Sequence, residues 1–228
     1  VTVAGLRPAD LVAPLATLEE LRPSAGCGLV IGQDRRSGPV PVRLFRPDRA
    51  TNAVLVGSIR AALLVAFRAL GSGARVVVRT GRPQTWSAFG NQVGADPERF
   101  AVVPPGVSDP IPATARLPRL VVVDTGPAVG AGAQDQPAGE RWQSTLVIRE
   151  ELSAWDVDNL TRADLAILQP LGDVEASLAA SALGLAEARG WLTRIRGDMI
   201  GLASAHRITW ARFAPTVTEL QLIGPPGR

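Results

Sequence analysis

The sequence predicts an α/β fold: a mixed, mostly parallel sheet with helices on both faces and additional antiparallel strands at the N- and C-terminal ends. Three observations carry that expectation. Short Val- and Leu-rich runs trade places with helical stretches from about Val54 to Leu185, the alternation of a sheet covered by its own connections. Val76-Val77-Val78 is a continuous β-branched run, as expected of a strand buried on both faces. The 228 residues suffice for one large core, since a domain of this size buries roughly 70% of the surface its unfolded chain exposes.

Residues 1–27 lack a clean period and read as an N-terminal segment, in which Leu11, Leu15, Leu18 and Leu21 could line one helical face after Asp10. Pro23 and Gly26 stop it. Residues 28–228 read as a single domain. Gly28 to Gln33 and Val40 to Arg46 form two strands around the turn Asp34-Arg35-Arg36-Ser37-Gly38, and Pro41 favours a sheet edge for the second. Ala53 to Val56 is the next strand; Ser58 caps an apolar helix from Ile59 to about Leu70, and Gly71 and Gly73 end it. Ala74 to Thr80 completes a βαβ unit. Pro83 opens a second helix through Val93, bearing Trp86 and Phe89 on one side, and Phe100 to Val103 and Leu120 to Val123 supply strands.

Five of the nineteen prolines fall between Pro104 and Arg119, and Gly, Pro, Ala and Gln dominate residues 126–140. Both stretches read as surface loops. Gln143 to Arg149 is strand-like, Ser153 caps a helix starting at Ala154, and Leu165 to Leu168 is a buried strand. Gly172 or Asp173 opens what reads as the longest helix, to about Ala188, with Val174, Leu178, Ala182 and Leu185 at helical spacing. Strands at Met199 to Ala203, Ile208 to Phe213 and Glu219 to Leu222 close the chain, and the whole is Rossmann-like.

Composition excludes more chemistry than it suggests. The sequence holds one histidine, His206, and one cysteine, Cys27, with no tyrosine and no lysine. A lone cysteine forms no intrachain disulfide, and without a Cys/His cluster there is no structural zinc signature, so a reducing compartment is expected. All 24 basic residues are arginine, yet the net charge is only +3. Arg35 and Arg36 are the only adjacent basic pair, too sparse a footprint for a phosphate backbone, so no nucleic acid is expected. No run reaches the roughly 18 to 20 apolar residues of a spanning helix.

Few residues are candidates for a site. Gly57-Ser58, between a strand and a helix, would present backbone N–H groups to a phosphate. The G-x-G-x-x-G pattern is absent there, and G-x-x-x-x-G-K-[ST] is impossible without lysine. The plainer reading is that Gly57 allows close packing of helix on sheet. Asp124 ends Val121-Val122-Val123, where α/β enzymes place metal-binding or catalytic carboxylates, and Asp156 and Asp158 could join it. The plainer reading of Asp124 is a cap of the turn Asp124-Thr125-Gly126. His206 reads as a turn histidine and Cys27 as inert. Trp86, Trp142, Trp155, Trp191 and Trp210 suit core or interface anchors. No catalytic, cofactor-binding or metal residue is therefore assigned, and no cofactor is expected.

Several stretches resemble the EccE component of actinobacterial type VII (ESX) secretion systems. They are Pro41-Val42-Arg43-Leu44-Phe45-Arg46-Pro47, Val56-Gly57 with the helix after it, Gly73-Ala74-Arg75-Val76-Val77-Val78-Arg79-Thr80 and Pro104-Pro105-Gly106. Ala182-Leu183-Gly184-Leu185, Trp191-Leu192, Trp210, Ala214-Pro215-Thr216 and Leu222-Ile223-Gly224-Pro225-Pro226 continue the likeness. None is a catalytic motif. The resemblance implies a non-enzymatic structural subunit at the cytoplasmic face of the cell membrane, docking EccB-, EccC- and EccD-like partners. Transmembrane helices of that family would lie outside this chain, with residues 1–27 as the juxtamembrane connection. The alternative expectation is a nucleotide- or nucleotide-sugar-binding enzyme with Gly57 and Ser58 at the phosphate and Asp124 as metal ligand or base.

Overall fold

The computed structural model describes residues 28–107, 109–125 and 140–228. The segment 1–27, including Cys27, and most of the loop expected at 126–140 lie outside the described residues. The described strands are β1 (Leu29–Gln33), β2 (Pro39–Val42), β3 (Thr51–Val56), β4 (Arg75–Thr80), β5 (Phe100–Val103), β6 (Arg119–Asp124), β7 (Gln143–Arg149), β8 (Leu165–Leu168), β9 (Met199–Ser204) and β10 (Arg207–Arg212). The α-helices are α1 (Ile59–Gly71), α2 (Pro83–Gln92), α3 (Val157–Thr161), α4 (Asp173–Ala182), α5 (Arg189–Leu192) and α6 (Val217–Ile223).

All ten strands form one sheet, ordered β2-β1-β10-β9-β8-β3-β7-β6-β4-β5. The run from β8 to β5 is parallel, and β9, β10, β1 and β2 add on antiparallel. The predicted α/β class, with antiparallel strands from both chain ends, is what the chain adopts. Pro41 sits in β2, an edge strand, the position a residue without an N–H favours.

Alternation along β3 builds two cores. Ala53 and Leu55 face a cluster with Leu64, Val76, Val78, Leu120, Leu146 and Phe213, which α1 and α2 cover. Val54 and Val56 face the other side, with Val121, Val147, Leu160, Leu168, Ala176 and Leu192, beneath α3, α4 and α5. Both faces of the parallel strands are dry, which is why β4, β6, β7 and β8 are buried along their whole length.

Two expectations are corrected. The predicted long helix from Asp173 stops at Ala182, because Gly184 turns the chain at φ +64°; a 310 turn (Ala186–Ala188) and α5 follow. The longest described helix is instead the 13-residue α1. The expected strand at Glu219 to Leu222 is helix α6: the Thr216 hydroxyl accepts the Glu219 N–H, and the Glu219 carboxylate accepts the Thr216 N–H at 2.7 Å. This reciprocal capping box, T-x-x-E, outweighs the apparent alternation. No described helix is long and apolar enough to cross a membrane.

Candidate functional site at the carboxyl end of the sheet

In a doubly wound sheet, ligands bind beyond the strand carboxyl ends, where neighbouring strands send their connections to opposite faces. Here that place lies between β3, which leads into α1 on one face, and β7, which leads into α3 on the other. Gly57 and Ser58 follow β3, Arg149 ends β7 with Glu150 after it, and Gln169 follows β8. The turn Gly57-Ser58 considered from the sequence lies at this switch point.

The turn is already occupied. Ser58 caps α1, its hydroxyl accepting the Ala61 N–H at 3.2 Å. The Ser58 backbone N–H, which would face a phosphate, donates to Gln169 Oε1 at 2.6 Å. The Ser58 hydroxyl donates to the Pro226 carbonyl at 3.0 Å, and Gln169 Nε2 donates to the same carbonyl. Gly57 is required for this approach: a Cβ there would fall 2.3 Å from Gln169 Oε1. The plainer reading of Gly57 is close packing of helix on sheet; the neighbour it meets is instead the buried Gln169 amide just after β8.

Residues 224–228 therefore lie across the crevice. Pro226 is buried, and Arg228 donates to the Pro170 carbonyl at 2.8 Å, to the Glu150 carbonyl and to Glu175 Oε1. Burial pushes the Glu175 carboxyl up, but the Arg228 guanidinium and the N–H groups of Gly172 and Leu152 outweigh it and hold the group below the usual range. Sequence reasoning gave Gln169 and Arg228 no role. Their signal is long-range, since Gln169 and Pro226 are 57 residues apart.

Asp124 is 2% exposed at the end of β6, and the turn Asp124-Thr125-Gly126 expected around it runs beyond the described residues. Its Oδ2 accepts from Thr80 Oγ1 (3.1 Å), Arg82 Nε (2.9 Å) and Trp86 Nε1 (2.7 Å), and Oδ1 accepts from Arg82 Nη2 (2.8 Å). The hydrogen bond from Arg82 to Asp124, joined by one to Glu150, raises the Arg82 pKa despite partial burial. A carboxylate so engaged serves α2: it anchors the buried Trp86 indole and the Arg82 side chain to β6.

The other candidates are not brought to it. Asp156 pairs with Arg149 and receives the Ser153 N–H at 3.0 Å, while Asp158 is exposed in the first turn of α3. Among the described residues no three His, Cys, Asp or Glu side chains group as metal ligands. His206 lies exposed in the β9–β10 turn at φ +60°, its Nδ1 3.2 Å from the Leu183 carbonyl. Arg35 and Arg36 are exposed in the β1–β2 turn, which Asp34 closes by accepting the Arg36 and Gly38 N–H groups, each at 2.8 Å. Of the tryptophans, Trp86 is buried, Trp142 and Trp210 are partly buried, and Trp155 and Trp191 are 89% and 63% exposed.

Another charge cluster lies at the opposite end of the sheet. Arg75 and Arg119, the first residues of β4 and β6, converge on Asp109 in the proline-rich loop, Arg75 binding both carboxylate oxygens at 2.8 and 3.0 Å. Burial raises the Asp109 carboxyl, but Arg75, the Ile111 N–H and Arg119 hold it below the usual range. The expected surface loop is thereby stapled to the sheet.

No family model and no curated protein matches the chain. Solved structures do, at low identity. VirB4 of Thermoanaerobacter pseudethanolicus is similar at a TM-score of 0.59 and 10% identity, over 86% of this chain and 98% of that one. The genome packaging NTPase B204 from Sulfolobus turreted icosahedral virus 2 aligns with a TM-score of 0.49 in its complex with ATP-gammaS (11% identity, 71% of this chain and 96% of that one). In complex with AMPPCP the same protein gives 0.48 (10% identity, 74% and 99%). The likeness to VirB4 is one of fold alone.

Proposed function

We propose that this chain is a non-enzymatic interaction domain, an EccE-like structural subunit that docks neighbouring components of a type VII secretion membrane complex at the cytoplasmic face of the membrane. One observation carries the non-catalytic part of the reading. The groups a ligand would need at the crevice are spent within the chain: the Ser58 N–H on Gln169, the Ser58 hydroxyl on Pro226, and the Asp124 carboxylate on Thr80, Arg82 and Trp86. The secretion part rests on the sequence resemblance, and the partners are EccB-, EccC- and EccD-like proteins. Trp155 and Trp191 supply docking anchors, since large exposed aromatics are enriched at interface hot spots.

The rival reading, a nucleotide- or nucleotide-sugar-binding enzyme, needs the same three groups free. The test of the docking reading is to tag the full-length parent protein in its native host, solubilise membranes in mild detergent and identify what co-purifies. Recovery of EccB-, EccC- and EccD-like subunits in one large complex is expected; a protein recovered without them overturns the assignment.

A further inference from the structure

Residues 224–228 lie over the turn after β3, held by groups of the body of the domain. α6 ends at Ile223, and Gly224 after it, at φ +80°, sets residues 225–228 apart from the helix. Pro226 is buried there, and its carbonyl is read twice, by the Ser58 hydroxyl at 3.0 Å and by Nε2 of the fully buried Gln169. Two residues on, the Arg228 guanidinium is read by the Pro170 and Glu150 carbonyls and by Glu175. The reading groups also bond to the body of the domain, independently of residues 224–228. Gln169 is fixed by the Ser58 N–H, and Glu175 by the N–H groups of Leu152 (2.9 Å) and Gly172 (2.8 Å). A backbone carbonyl and an arginine at fixed spacing, met by preset donors and acceptors, are the elements of short linear-motif recognition.

We propose that this crevice is a peptide-recognition slot for a segment carrying Pro-Gly-Arg, filled in cis by residues 224–228 and able to take the same segment of a second copy of the chain. The inference deepens the docking reading and rests on it. In cis the strap acts at the high effective concentration of a short tether, so exchange between copies requires the slot to be vacated first. Weakening the chain's own strap therefore strengthens binding of the segment supplied in trans.

The test uses the whole chain and a fluorescently labelled peptide of residues 222–228, read by anisotropy. In an Arg228→Glu variant the strap meets Glu175 as a like charge and leaves the slot, so the peptide binds at least tenfold more tightly than to the unsubstituted chain. A peptide with glutamate in place of its arginine binds at least tenfold more weakly than the parent peptide. An Arg228→Glu chain with an unchanged circular dichroism spectrum that binds the peptide no better than the original overturns the slot, as does equal binding of the two peptides. Either result removes the slot alone, because the co-purification experiment reads the docking function without it.

Discussion

Gln169 ties Pro226 to Ser58 through the two ends of one buried amide: Oε1 accepts the Ser58 N–H at 2.6 Å, and Nε2 donates to the Pro226 carbonyl. An amide both donates and accepts, so one side chain satisfies the first free N–H after β3 and fixes the segment that crosses it. A carboxylate could not make both bonds, nor could an ammonium.

Gln169→Leu should cost about 1–3 kcal/mol, because the part-buried Ser58 N–H loses its acceptor. Urea unfolding measures the loss, and amide hydrogen exchange at Ser58 should accelerate with it. A variant within about 0.5 kcal/mol of the parent would show that the bridge does not hold the crevice.

Gly57→Ala should destabilise by about 1–3 kcal/mol through overpacking, since the added methyl meets Gln169 at 2.3 Å. Combining it with Gln169→Ala removes the clash, so the pair should cost clearly less than the sum of the two single changes. Strict additivity in the double-mutant cycle would refute the contact.

Asp124→Ala should cost about 3 kcal/mol, from orphaning the buried Trp86 indole N–H and the Thr80 hydroxyl. Asp124→Asn keeps an acceptor and should cost less. Near-UV circular dichroism should report loosening of Trp86 in the alanine variant. An unchanged Trp86 signal and full stability would mean that Asp124 is not structural.

The strands were legible because burial on both faces writes itself into sequence as unbroken runs such as Val76-Val77-Val78 and Leu165 to Leu168. Ser58 and Pro41 were legible because capping and edge preference are local. The helix after Asp173 was overextended because apolar spacing continues past Gly184, and only the positive φ at that glycine breaks it. Glu219 to Leu222 misled because a seven-residue helix is too short to display its period. The crevice's contents were illegible: Gln169, Pro226 and Arg228 meet only through the fold, as do Arg82 and Trp86 on Asp124.

Stability should fall in acid. Burial alone would raise Asp109 and Glu219, but Arg75 beside the first, and Arg68 with the Thr216 N–H beside the second, lower both. A carboxyl lowered in the folded state contributes stability that is complete above its unfolded value, 3.8 for Asp109 and 4.5 for Glu219, and is lost as pH falls through the lowered folded value. Urea midpoints should therefore be flat from about pH 7 to 5 and drop steeply towards pH 3. Asp109→Ala, which takes the carboxylate from the buried Arg75 guanidinium, should cost about 3–5 kcal/mol at pH 7 and leave a shallower acid slope. Equal slopes for the two proteins would contradict the pairing.

The central claim, that the crevice is filled by the chain itself rather than kept for a nucleotide, is tested most directly by thermal unfolding of the whole chain with ATP, ADP, GTP or UDP-glucose and magnesium. A ligand at one hundred times its dissociation constant adds about 2.7 kcal/mol, a rise of roughly 5–10 °C for a domain of this size. The account predicts no shift with any of them at millimolar concentration. A reproducible rise of that size, abolished by Asp124→Asn, would contradict it and establish the nucleotide-binding reading.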